Sequence, residues 1–387
     1  MNKAITEQDF IFKNTNVNTP EKGSFIWRTP SNIALVKYWG KREPQLPENP
    51  SISFTLDACF TMTTLEFSKR KIRHSVPKSR GNLEPHDGIL KRVQHDKSIQ
   101  FDIYFEGEKK DNFKPKIATF LKRIQKYVPF IVDYDFVINS RNSFPHSSGI
   151  ASSASGMSAL ALCIMSLEKE INPNITDPYF NKKASFLARL GSGSASRSIE
   201  GELVVWGKHS NFNESSDLYG IKYPEKIHQN FKNYHDTILL VDKGEKQVSS
   251  TVGHNLMHEH PFAEQRFAQA HENLSKLNTV LQSGDYTSFI EIVESEALTL
   301  HAMMLTSNPY FILMKPKTLE IINKIWSFRA KTNSNICFTL DAGANVHVLF
   351  PEKEKEDVHN FIVNELVQFC QNGDYICDRI GFGAKQM

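Results

Sequence analysis

Apolar residues alternate with Ser and Thr over SISFTLDACFTMTTLEFS (51–68), the period-two pattern of a half-buried antiparallel strand. SFIWRTPSNIALVKYWG, from residue 24, has the β-branched and aromatic content of a second strand region, and SIQFDIYFEG (98–107) resumes the pattern after a polar, basic segment from Lys69 to about Lys97. That segment reads as an insertion or a long hairpin loop. Helical spacing marks KPKIATFLKRIQKYV (114–128), and FIVDYDFVINS (130–140) is strand-like. ASSASGMSALALCIMSLEKEI (151–171) predicts an apolar helix behind a Gly/Ser/Pro loop, KKASFLARLGSG (182–193) a helix ending near Gly191, and ELVVWG (202–207) another strand. From HDTILLVDKG (235–244) onward the pattern predicts helices over about 256–283, 285–304, 315–330 and 354–371, with strands at CFTLDA and VHVLF.

Strands and helices mix in both halves without regular alternation, which predicts two α+β domains with a cleft between them. The divisions are a polar and loosely held arm over 1–23, an N-terminal domain over 24–230 and a C-terminal domain over 231–387. No internal repeat is visible.

The length of 387 residues suits two domains. A formal net charge of +3 supplies no chain-wide field for gripping a polyanion, which argues against nucleic-acid binding. KRKIRHSVPKSR (69–80) lacks interleaved aromatics and reads as a solvated loop. No apolar run approaches the ~20 residues of a membrane span, and the first residues lack a signal-peptide plan, so a cytoplasmic protein is expected. Five scattered cysteines without a C-x-x-C pair disfavour disulfides and structural zinc and read as reduced and mostly packed. His254 and His258, four apart in HNLMHEH, could share a helix face, but without an E-x-x-H frame they read as surface histidines.

Four segments can carry chemistry. RNSFPHSSGIASSASG (141–156) places small residues before a helix N-terminus, an arrangement that suits phosphate, although a Ser-rich helix cap has the same pattern. It contains neither a Walker A loop nor G-x-G-x-x-G. GSGSASRS (191–198) is a second small-residue turn in which Arg197 offers a planar fork for carboxylate or phosphate, unless the turn is merely a linker. NIALVKYWGK (32–41) sets Lys37 and Lys41 among aromatics, where buried cations would need an anion; snorkelled surface lysines are the alternative. In CFTLDAGANVHVLF (337–350), Asp341 ends an apolar strand, a position suited to a base or a metal ligand and equally to capping a turn.

Together, SNIALVKYWGKR, FPHSSGIASSASG, GSGSASRSIEGELVVWG and TLDAGAN, in this order, resemble the diphosphomevalonate decarboxylases of the GHMP kinase superfamily. The resemblance extends to LPENPSISFTL (46–56), VSSTVG (248–253) and LHAMMLTSNPYF (300–311), and covers most of residues 28–350. It implies an α+β two-domain GHMP-kinase fold, with an N-terminal domain like ribosomal protein S5 domain 2 and a ferredoxin-like C-terminal domain. It further implies a homodimeric enzyme that uses ATP and Mg²⁺ to convert mevalonate 5-diphosphate to isopentenyl diphosphate, ADP, phosphate and CO₂. Asp341 then corresponds to the catalytic aspartate near the C3 hydroxyl, Lys37 to the lysine beside it, Arg197 to the arginine on the C1 carboxylate, and Asn32 to the asparagine orienting both. Tyr38, Lys41, Ser192, Ser194 and Ser250 match positions on the substrate's phosphates. Pro145, Ser148, Gly149, Ala151, Ser152 and Ser153 belong to the loop that wraps ATP. The protein ligands of the metal stay unknown, the Mg²⁺ being expected to be held mainly by the ATP phosphates.

The chain departs from the family pattern in the ATP loop, where His146, Ser147 and Ser148 stand for Thr-Ala-Ala, and at Ala344, Ser196 and His254. The alternatives within the enzyme class are a decarboxylase of mevalonate monophosphate, against which Tyr38 and Lys41 argue, and a mevalonate 3-kinase that stops after phosphorylation, against which Asp341, Lys37 and Arg197 argue; the altered loop at His146 leaves open a catalytically silent binding protein.

Overall fold

The computed structural model describes residues 5–13, 19–70, 98–145, 150–244 and 250–387. Most of the basic 69–97 insertion, and residues 146–149 of the loop before the apolar helix, lie outside the described residues.

In chain order the first half comprises β1 (Lys22–Val36), β2 (Lys41–Arg42), β3 (Leu46–Pro47), β4 (Ser51–Lys69), β5 (Gln100–Phe105), β6 (Glu108–Lys109), α1 (Lys114–Ile124), β7 (Tyr134–Asn142), α2 (Ser152–Ile171), α3 (Asp177–Gly191), β8 (Leu203–Trp206) and β9 (Gly220–Lys222). The second comprises β10 (His235–Leu239), α4 (Ser250–Asn255), α5 (Ala263–Ser283), α6 (Tyr286–Leu305), α7 (Pro316–Thr332), β11 (Cys337–Thr339), β12 (Val346–Phe350), α8 (Lys355–Phe361), β13 (Tyr375–Arg379) and β14 (Lys385–Gln386).

One sheet runs β14-β1-β4-β7-β5-β6, with β8 and β9 continuing from the first residues of β4. Only β5 and β7 are parallel within it. The second sheet, β11-β12-β10-β13, is antiparallel throughout. The two sheets meet where the pairing of β1 with β4 jumps from Pro30↔Phe60 to Asn32↔Thr55. The bulged residues lose their ladder partners there, and Asp378 of β13 accepts from the backbone N–H groups of Asp57, Ala58 and Cys59 at 2.9, 2.7 and 2.8 Å.

α2 is apolar on nearly every side, and it is buried accordingly against β1, β4 and α3. Its one charged pair in the interior is Glu168 with Lys183 of α3, at 2.7 Å and with both side chains no more than 3% exposed. The pair joins the helix that follows the Ser-rich segment to the helix that ends at the Gly191–Ser198 turn. Ser158 reinforces the union, its Oγ lying 2.8 Å from the carbonyl of Ala195.

Several boundaries differ from the sequence expectation for local reasons. α3 starts earlier, at Asp177, with Pro178 in its first turn. The helix expected from about 256 starts only at Ala263, as α5, because Pro261 stands just before it, and the short α4 lies ahead of the expected range. The strand expected from 130 starts at Tyr134, after a 3₁₀ turn opened by Pro129. The helix expected over 354–371 is α8 followed by a wider turn over Ile362–Leu366, which keeps Ile362 and Leu366 in the second core. The arm over 1–23 is not loose throughout: Phe10 is buried and stacks on Phe186 at 4.5 Å. Four of the five cysteines are buried and Cys377 is exposed, all of them free thiols.

Lys183→Met leaves the Glu168 carboxylate buried without its cation and is expected to destabilise the protein by about 3–5 kcal/mol in urea unfolding. The double change Lys183→Met with Glu168→Leu is expected to recover most of that loss.

Candidate active site

A cleft of about 580 Å³ opens where the two sheets and α2 converge. Segments far apart in sequence meet on its wall: Asn32, Lys37, Tyr38 and Lys41; Ala151, Ser152 and Ser153; Ser192, Ser194 and Arg197; and Asp341. Pro145 is not on that wall. Ser148 and Gly149 lie outside the described residues, and Ser250 opens α4 with its side chain likewise outside what is described.

β1 ends at Val36, so Lys37 stands just beyond the ladder, with its side chain only 2% exposed. Its Nζ lies 3.2 Å from Oδ1 of Asp341, which follows β11 and remains partly open to the cleft. Burial pulls the Lys37 ammonium below the ordinary lysine range, opposed by the carboxylates of Asp341 and Glu296. Asp341 is the nearest counter-charge to the enclosed ammonium.

Arg197 sits in the 3₁₀ turn Gly193–Ser198, fully enclosed. Its Nη1 donates to Ser51 Oγ at 2.6 Å and its Nη2 to Asn32 Oδ1 at 3.4 Å, while the guanidinium lies 5.7 Å from the Trp206 ring centroid. Asn32 is held in turn, donating from Nδ2 to Ser198 Oγ at 2.8 Å and to the Ser194 carbonyl at 3.2 Å. Among the described residues Arg197 makes no ion pair, and its Nε has no hydrogen-bond partner. Desolvation pulls it down to about 10, with Asp341 acting in the opposite direction. A buried guanidinium with neutral neighbours and a spare donor is complementary to an anionic ligand group.

Lys41 is a second enclosed ammonium, 3.4 Å from Gln45 Oε1 and 3.8 Å from Glu43. Burial lowers its pKa, and Glu43 resists the shift. Tyr38 packs edge-on against Trp206 at 4.7 Å, its hydroxyl buried without a hydrogen-bond partner. Burial raises that phenol far above its ordinary value, so it remains a donor. Gly40 turns the chain between them at φ +94°.

At the other end of the cleft, α2 presents its N-terminus, and its first residues carry the positive end of a 20-residue helix. Ala151 enters it in the left-handed region at φ +44°, a conformation costing about 1–3 kcal/mol that recurs where a loop must hold a ligand. Ser153 Oγ lies 3.3 Å from Ser192 Oγ, so the two small-residue segments form one continuous lining.

The sequence pattern did not single out Phe105, Asn112, Phe113 and Lys116, which extend the cleft along β5 and the start of α1. Their only mark was a polar turn before an amphipathic helix. The histidines correct an expectation: His254 is buried, accepts the Gly40 N–H on Nδ1 at 3.0 Å and packs on Tyr38 and Trp39 at 4.3 and 4.7 Å. His260 is buried as well, 3.0 Å from the Met303 carbonyl, and only His258 is exposed. Packing of α4 over the aromatic pair Tyr38–Trp39 encloses His254. No group of three or more metal-ligating side chains occurs among the described residues.

Three buried cations and one carboxylate on a single wall, with a helix N-terminus beside them, make this the cleft of an α+β enzyme that handles phosphorylated small molecules. Residues 29–85 and 89–217 match the model of the diphosphomevalonate decarboxylase-like N-terminal domain, and residues 237–381 that of the mevalonate 5-diphosphate decarboxylase C-terminal domain. The chain belongs to the diphosphomevalonate decarboxylase family. It is 29% identical over 335 residues to the diphosphomevalonate decarboxylase of Aspergillus fumigatus, covering 85% of this chain and 77% of that one. With that of Ganoderma lucidum it shares 27% over 352 residues, or 88% and 81%. The solved mevalonate diphosphate decarboxylase of Staphylococcus aureus superposes with a TM-score of 0.75 at 26% identity, over 95% of this chain and 98% of that one. A structure of MDDEF in complex with MVAPP, AMPPCP and magnesium gives 0.75 at 27%, over 95% and 99%. The two-domain GHMP-kinase fold expected from the motifs is the fold of these structures.

Gly193 touches both aromatics of the cleft floor: a Cβ there would lie 2.8 Å from Tyr38 Oη and 2.8 Å from Trp206 Cη2. Gly193→Ala is expected to destabilise the protein by about 1–3 kcal/mol, measured by urea unfolding, since neither buried ring has room to retreat.

Proposed function

We propose that this protein catalyses the ATP-dependent decarboxylation of mevalonate 5-diphosphate to isopentenyl diphosphate, ADP, phosphate and CO₂. The observation that carries the reading is the enclosed Arg197, lacking an ion-pair partner among the described residues, on the same cleft wall as the Lys37–Asp341 pair.

A β-hydroxy acid loses CO₂ readily only when its hydroxyl becomes a good leaving group. In this reading Asp341 takes the proton of the C3 hydroxyl as the C3 oxygen forms its bond to the γ-phosphorus of ATP and ADP departs. Lys37 holds the Asp341 carboxylate in place. When the C3–O bond breaks, phosphate leaves with the electron pair and positive charge develops at C3. The electrons of the C1–C2 bond then form the C2=C3 double bond, releasing CO₂. Arg197, oriented by Asn32 and Ser51, holds the C1 carboxylate through these steps. Tyr38, Lys41, Ser192, Ser194 and Ser250 take the 5-diphosphate, and the α2 N-terminus with Ser152 and Ser153 takes the ATP phosphates.

Asp341 is the one carboxylate on the described cleft wall, a donor set that suits a Mg²⁺ ion entering on the nucleotide rather than one caged by protein. When bound, Mg²⁺ supplies neutralisation of phosphate charge; Asp341 and the Ser152 and Ser153 hydroxyls are the groups available to it. The reading includes a domain boundary near 230, between β9 and β10, with β14 returning to the first sheet. It also includes a cytoplasmic location, in keeping with free thiols, and the homodimer that the family resemblance implies.

Incubation with ATP, Mg²⁺ and each mevalonate phosphate in turn, with ADP and CO₂ both measured, tests the proposal. Equal amounts of the two products from the diphosphate are expected; ADP without CO₂ identifies a 3-kinase, and CO₂ chiefly from the monophosphate identifies a monophosphate decarboxylase. Asp341→Asn is expected to cut turnover by a factor on the order of 10² to 10⁴ with nucleotide affinity nearly unchanged, as a titration with ATP would verify. Lys41→Ala is expected to raise KM for the diphosphate about tenfold while leaving KM for ATP as it was, because a charge-assisted hydrogen bond contributes roughly 1.5–3 kcal/mol.

A further inference from the structure

Lys37 and Asp341 follow strands of different sheets, yet one helix reaches both. The backbone N–H of Lys37, outside any ladder, donates to Oε2 of Glu296 in α6 at 2.8 Å. Its carbonyl accepts from Asn49 Nδ2 at 2.9 Å and from Arg266 Nη2 at 3.1 Å. Arg266 of α5 and Glu296 are fully buried and joined by two hydrogen bonds, at 2.5 and 3.0 Å, and Asn273 donates to the same carboxylate at 2.7 Å. Apolar residues of equal volume commonly serve stability as well as a buried ion pair does, so stability alone gives no reason for one here. Besides Asn273 and Gln269, the pair bonds to the peptide groups of Lys37, Glu296 to its N–H and Arg266 to its carbonyl.

Five residues along α6, His301 lies with Nε2 3.1 Å from the carbonyl oxygen of Asp341. A carbonyl can only accept, so Nε2 carries the hydrogen and donates. The ring is buried, and desolvation keeps it neutral in the working range. Glu296 and His301 therefore anchor the main chain of the two halves of the Lys37–Asp341 pair from one rigid element, about 7.5 Å apart along its axis.

We propose that α6 acts as a spacer for the catalytic pair, with Glu296 and His301 as positioning residues that fix the separation of the Lys37 ammonium from the Asp341 carboxylate. The inference rests on the reading that this pair carries the chemistry. Neither residue lines the cleft, so both act through the residues they hold.

The turnover of the unaltered protein with mevalonate diphosphate is measured first, so that an error in the functional reading shows there and an error in the spacer role shows only in the variants. His301→Met fills the space without a donor, and His301→Gln restores an N–H. The expected result for His301→Met is a fall in kcat on the order of 10- to 100-fold, with KM for both substrates within about twofold and substantial recovery in His301→Gln. If His301→Met does not fold, His301→Asn, polar but too short for the carbonyl, takes its place with the same expectation. Unchanged kcat in the donor-free variant overturns the proposal. So does a parallel loss of kcat and KM that His301→Gln fails to relieve, and so does failure of all three variants to fold, which would make His301 a stability residue.

Discussion

The constraint on which the cleft depends is that cations are buried there in excess of their counter-charges. Lys37, Lys41 and Arg197 are all enclosed, and Asp341 is the one carboxylate on the described wall. Desolvation lowers the pKa of each cation. Such an arrangement is unfavourable in the empty protein and becomes favourable when a ligand with several negative charges enters. The fold holds the Arg197 guanidinium through the neutral Ser51 and Asn32, and Lys37 by its backbone through Glu296, Arg266 and Asn49. Arg197 is thereby fixed by neutral partners, with no ion pair among the described residues.

The same constraint explains the helix arrangement. α2 and α3, locked by Glu168 and Lys183, bring a helix N-terminus and the Gly193–Ser198 turn to one side of the cleft. α5 and α6 form the other side, with the Arg266–Glu296 pair set behind Lys37. The junction between the sheets, held by Asp378 on the bulge of β4, keeps Asp341 opposite the end of β1. In the proposed reading, a substrate with a carboxylate at one end and a diphosphate at the other would meet a separate cation at each, and the Lys37–Asp341 pair shares the wall with both.

Much of this was legible in the sequence because the chemistry is concentrated in short segments of unusual composition. KYWGK, GSGSASRS and TLDAGAN each combine a charged residue with small or aromatic neighbours, and those residues do meet on one wall. The long strands and α2 were equally readable, since strict alternation and an apolar 20-mer have few other meanings. What sequence could not reveal depends on long-range contact. Arg266, Glu296 and His301 look like ordinary residues of amphipathic helices, and only packing shows that they are enclosed and aimed at the main chain of Lys37 and Asp341. His254 read as a surface residue because its neighbours are polar, although α4 folds it onto Tyr38 and Trp39. β13 and β14 escaped notice because YICDR and KQ are too short and mixed to carry a period.

The most direct test of the central claim, that Lys37 and Asp341 work as a unit, is a double-mutant cycle in kcat/KM for mevalonate diphosphate with Lys37→Met, Asp341→Asn and the two combined. Strong non-additivity is predicted, the double variant being little worse than Asp341→Asn alone, because removing either partner already disables the pair. Fully additive losses would contradict the account, leaving two independent groups that happen to lie 3.2 Å apart.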